Sequence, residues 1–109
     1  MARLSNANAV QAIRDREVFS NNSDTMIGRK RFAGWGDLPE GQRPVLHVHH
    51  IAYWVYSYGT PIAWVYDDGS AYMPAVRYTT TTDRQQKIVA EALCIPFRAE
   101  ITVTPSEEL

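Results

Sequence analysis

Cysteine is nearly missing from this chain, with one residue, Cys94, in 109. That excludes an internal disulfide and fits a reducing compartment. An excess of charge of either sign is missing too. Eleven Lys and Arg stand against twelve Asp and Glu, for a net charge of −1. Proteins that grip duplex nucleic acid through its phosphates carry a clear basic excess or stripe. Here basic residues gather only at Arg29, Lys30 and Arg31. No apolar run reaches membrane-spanning length, and MARLSNANAV lacks the apolar h-region of a signal peptide. There is no glycine-rich phosphate loop with its lysine, and no Ser/His/Asp or Cys/His ordering that suggests a nucleophile. We therefore expect one cytoplasmic domain over residues 1–109, with loose ends at 1–4 and 104–109. We expect no cofactor, no catalytic residue and no membrane partner.

What is present is pattern. Residues 5–19 read as a helix capped by Ser5 or Asn6, with Ala9, Val10 and Ile13 as its apolar face. SNNSD ends it. Residues 25–44 carry all six glycines and prolines of the first half (Gly28, Gly34, Gly36, Pro39, Gly41 and Pro44) and read as a long loop, with Phe32 and Trp35 pinning it to the body. From Val45 the composition turns to β-branched and aromatic residues, which predicts a strand through Tyr58. Gly59-Thr60 suits a type II′ turn, PIAWVYD a second strand, Asp68-Gly69 a type I′ turn, and AYMPAVRYT a third strand. Pro74 marks that third strand as an edge or a bulge.

These turns fix a register, and the register fixes faces. Tyr53, Val55, Ile62, Trp64, Tyr66, Met73 and Ala75 share one face. Trp54, Tyr56, Tyr58, Ala63, Val65, Tyr72, Val76 and Tyr78 share the other. Neither face is polar, so both are covered or one meets a partner. A second helix should start near Asp83, from the capping-box spacing of Thr82 and Gln85, and bury Ile88, Val89, Ala92 and Leu93. It should pack on the Val55/Ile62/Trp64/Met73 face. Cys94 reads as a buried, inert thiol. Residues 97–103 alternate as a final strand. The predicted fold is α+β: a small antiparallel sheet built on a three-stranded meander plus a C-terminal strand, with one helix before the meander and one after.

YSYGTPIAW, a DG turn and VRYTTTTDRQQ together resemble a family of small uncharacterised proteins from bacteriophages, plasmids and actinobacteria. The family's shared core runs roughly SY-x-TPIA, a glycine turn, then YS-x-TT-x-x-HQ. Ser57, Tyr58, Thr60, Pro61, Ile62 and Ala63 match its first part, and Tyr78, Thr80, Thr81 and Gln85 match the second loosely. Arg84 or Gln85 stands where the family often has histidine, and Thr79 where it often has serine. The resemblance spans residues 53–93 and implies a phage or mobile-element origin, with no mechanism attached.

Three functional readings follow. The first is a non-enzymatic accessory protein that binds a protein partner, either a host factor or a second copy of itself. Its contact surface would be Trp54, Tyr56, Tyr58, Tyr72 and Trp35, because Trp and Tyr are enriched at interface centres. The second is a single-stranded nucleic-acid binder that stacks bases on Trp54, Tyr56 and Tyr72, with Arg29, Lys30, Arg31 and Arg77 near phosphates. The third is a metal-binding protein using His47, His49 and His50. His47 and His49 share one side of a strand, yet zinc sites usually need three or four ligands, so structural histidines are the plainer reading. A plainer reading also exists for the aromatic face, as a second core layer covered by the first helix and the loop.

Overall fold

The computed structural model describes residues 2–21, 25–44 and 50–95. Among these residues six strands lie in one sheet in chain order: β1 (Ala2–Leu4), β2 (Phe19–Asn21), β3 (Met26–Arg29), β4 (Ile51–Ser57), β5 (Thr60–Tyr66) and β6 (Ala71–Tyr72). Strands β2 to β6 run antiparallel, and β1 joins β2 in parallel through helix α1 (Asn6–Arg14). Helix α2 (Thr80–Leu93) follows the meander. The fold is α+β, as the sequence predicts. The first three strands come from segments read as a loose end, a helix and a loop. The expected final strand at 97–103 lies outside the described residues.

Helix α1 is shorter than the predicted span for a local reason. Ser5 caps it by accepting the Asn8 N–H at 3.3 Å. It closes after nine residues in a left-handed motif at Arg16 (φ 57°), where Glu17 N donates to Ala12 O and Arg16 N to Ile13 O. The Arg16 guanidinium adds a bond of 2.8 Å to Ile13 O, so a cation neutralises the helix's negative end. That stop frees Phe19 to enter β2, fully buried. Helix α2 starts three residues ahead of prediction because Thr79, not Thr82, is its cap, accepting the Thr82 N–H at 3.2 Å. At its far end Ile95 N donates to Ala90 O around a left-handed Cys94, which leaves that thiol exposed rather than buried.

The meander forms where predicted, but its register differs. The first turn is Tyr58-Gly59, both with positive φ (51° and 79°), which is a type I′ geometry. Ser57 therefore faces Thr60, and Tyr56 faces Pro61. A bulge then carries Ile62, so Val55 meets Ala63 and Trp54 meets Trp64. Pro61, which has no N–H to give the ladder, sits beside this irregularity. The second turn is a three-residue loop, 67–69. Its Gly69 (φ 92°) donates to Tyr66 O, and Tyr66 N donates to Ser70 O. The net effect is a one-residue slip, which exchanges faces along the rest of β5. Trp64 and Tyr66 lie with Trp54, while Ala63 and Val65 lie with Val55. The two helices cover Tyr53, Val55, Ile62, Ala63, Val65 and Met73, together with Phe19 and Met26. Trp64 is thus not beneath α2. Tyr78, expected with Trp54, packs on the helix side.

Candidate functional site

The opposite face carries Trp54, Tyr56 and Trp64, with Ile51 and Leu38. Trp54 is 1% exposed and Tyr56 3%, so neither presents a ring to a partner. The cover is the segment 30–44 rather than α1. Phe32 and Trp35 lie over Trp54, at ring-centroid distances of 5.2 and 6.1 Å. The Tyr56 hydroxyl accepts the Ala33 N–H at 2.7 Å and donates to Gly34 O at 3.1 Å. Thr60 Oγ1 accepts the Asp37 N–H at 2.8 Å. Gly36 lies against the β4–β5 hairpin, where a side chain would collide with Gly59 O and Thr60. Arg43 closes the segment, with its guanidinium 5.5 Å from the Trp35 ring centre and its Nε donating to Leu38 O. Burying one ring of tryptophan size contributes about 4–6 kcal/mol before ordering entropy, so this cover is part of the fold's stability. Burial raises the Tyr56 hydroxyl pKa, against the lowering effects of the Ala33 bond and Arg29.

The five predicted contact residues therefore do not form one surface. Trp54 and Tyr56 are core. Tyr58 is 59% exposed at the hairpin tip, while Tyr72 is 42% exposed on β6, with its ring against Trp64 of β5 at 5.5 Å. Trp35 is half-buried as part of the cover. Arg77 is exposed between β6 and α2, away from the basic triplet in the chain.

The cover stops short of the β2–β3 side of the same face, and a trough remains there. One cavity of about 310 Å³ is lined by Val18, Ile27, Arg29, Lys30 and Arg31. A second, of about 180 Å³, continues it past Ile27 and Arg29 to Ala33, Tyr56 and Gly59. The strand β3 explains the arrangement. Met26 and Gly28 point to the helices, and Gly28 lets the Phe19 ring and Tyr53 hydroxyl approach its backbone closely. Ile27 and Arg29 point to the trough. Arg29, Lys30 and Arg31 are all exposed, and among the described residues none of them forms an ion pair. Sequence reasoning gave Val18 and Ile27 no role. The available signal was the period-two alternation of MIGR, hidden by a glycine that reads as a loop.

Two stretches of the resemblance meet on the helix side. Ser57 Oγ donates to Gln85 Oε1 at 2.5 Å and lies 3.1 Å from Thr82 Oγ1. Gln85 Nε2 donates to Thr25 Oγ1 at 2.8 Å, and Asn21 Nδ2 donates to the same oxygen at 3.1 Å. These are neutral hydroxyls and amides, buried or half-buried. They bolt the start of α2 to β3 and β4, and none of them titrates near neutral pH. The Tyr78 hydroxyl is buried with no hydrogen-bond partner among the described residues, and burial raises its pKa, helped by the charge of Asp37.

His47 and His49 lie outside the described residues. His50 is exposed and lines a separate hollow with Tyr66, Asp67 and Asp68. Among the described residues no group of three or more His, Cys, Asp or Glu is placed to hold a metal ion. The Asp68 carboxyl is held below the usual range by the Ser70 hydroxyl and N–H, which makes it a turn-forming group. No helix among the described residues is long and apolar enough to cross a membrane. No protein-family model matches the chain, and neither a curated protein nor a solved structure does.

Proposed function

We propose that this is a non-enzymatic accessory protein, of the phage or mobile-element kind, that acts by binding a protein partner in the trough along β3. The observation that carries the reading is a half-sealed sheet face. Aromatic residues over β4 and β5 are covered by the chain itself, while Val18 (43% exposed) and Ile27 stay accessible beside three adjacent cations. An aliphatic floor with a polar rim is the anatomy of a small interface.

A photo-crosslinking amino acid at position 18 tests the reading. In a cell extract, wild type should give a discrete protein adduct that the Arg29→Glu/Lys30→Glu/Arg31→Glu variant does not. Equal adducts from both proteins would overturn it. A second reading, binding of single-stranded nucleic acid, is favoured by the exposed Phe32 directly after the basic triplet. It predicts binding of oligo(dT) that weakens steeply with salt.

A further inference from the structure

Building on the trough reading, we infer that the occupant is a short acidic segment of another protein, with an apolar side chain flanked by carboxylates. The two cavities share Ile27 and Arg29, so they form one trough rather than two hollows. Its floor is aliphatic, and filling it takes an apolar side chain. Its rim is basic in a chain that is otherwise slightly acidic. Three of the eleven Lys and Arg stand side by side there. Adjacent cations that pair with no carboxylate among the described residues repel one another, and an anionic partner relieves that repulsion while adding attraction.

The trough lacks what nucleic acid needs, which is an aromatic face on which a base can stack. Among the described residues the one ring lining it, Tyr56, is buried, and its hydroxyl is committed to Ala33 and Gly34. The chain itself offers a competing occupant, since residues 96–109 contain Glu100, Glu107 and Glu108 among apolar positions.

The test is a titration of isotopically labelled full-length protein, followed through its amide resonances. The probes are a glutamate-rich peptide with a central leucine, the same peptide with lysine for glutamate, and oligo(dT). The glutamate peptide should shift the amides of Val18, Ile27 to Arg31 and Ala33, with an affinity that falls as salt rises. Lys30→Glu with Arg31→Glu should weaken it at least ~10-fold, since both side chains are exposed and their reversal turns attraction into repulsion. Val18→Asp should weaken it as well by spoiling the floor. Equal binding of the lysine peptide, or oligo(dT) displacing the glutamate peptide from the same residues, would overturn the inference. So would shifts at these amides caused by Glu107→Lys/Glu108→Lys alone, which would make the chain's own end the occupant. If no probe binds while the position-18 crosslink persists, this inference fails and the binding function stands. If both fail, the trough is not a binding site.

Discussion

The two faces of the sheet bury comparable side chains under different covers. On one face α1 and α2 lie over Phe19, Met26, Tyr53 and Val55. A helix satisfies its own backbone, so this cover needs only apolar contact and caps. On the other face an irregular segment lies over Trp54, Tyr56 and Trp64. Its backbone groups need partners one by one, and the sheet provides them through Tyr56 and Thr60. The first cover is a cooperative unit. The second is a set of individual attachments, and it ends where the attachments end, at the trough.

This difference can be broken in steps. The largest effect is expected from truncating each core. Trp54→Ala should cost about 3–5 kcal/mol and Ile13→Ala about 2–5 kcal/mol in denaturant unfolding. Hydrogen exchange should separate them. Trp54→Ala should release the amides of Ala33 and Asp37 before those of α2, whereas Ile13→Ala should loosen both helices. Equal release everywhere would show that the faces open as one unit. Next is Gly36→Ala. Its φ of 54° and the approach of Gly59 O and Thr60 leave no room for a methyl. A cost of about 1–3 kcal/mol is expected, concentrated in exchange of the 33–38 amides. Tyr56→Phe keeps the ring and deletes two bonds, so it should cost about 1–2 kcal/mol and act on the same amides.

Alkaline titration gives the mildest perturbation. Burial raises the pKa of Tyr53, where the Glu17 charge adds to the effect and Arg16 opposes it, and burial raises Tyr56 on the other face. Both hydroxyls stay protonated when folded at a pH where the unfolded chain ionises. Their contribution is therefore complete below about pH 10 and declines as pH rises above it. Stability measured across that window should fall, and Tyr56→Phe should remove part of the slope.

The sheet's core was legible because its signals are local and repeated: strands at 51–57 and 60–66, and turns near Gly59 and Gly69. The first helix was legible from its Ser5 cap and the second from the Val89/Ala92/Leu93 stripe, although Thr79 rather than Thr82 caps it. The faces were less so. A type I′ turn usually shows Asn or Gly at its first position, and here a tyrosine takes it, so the neighbouring Gly-Thr drew the prediction one residue along. One shifted residue moved Trp64 across the sheet. The trough was illegible for a different reason. It depends on where a non-repeating cover ends, and no local pattern in 30–44 encodes that limit. His47 and His49 lie outside the described residues, and the metal reading gains nothing from His50.

The indole rings give this asymmetry an optical consequence. All three tryptophans stand in one chain of contacts, Trp35 to Trp54 to Trp64, with ring centres 6.1 and 5.7 Å apart. The helix-covered core holds none of them. Tryptophan emission and the tryptophan bands of the near-ultraviolet circular dichroism spectrum thus observe one side of the sheet only. A shift in either reports the aromatic cover and its surroundings, while the opposite layer can rearrange without altering the tryptophan signal.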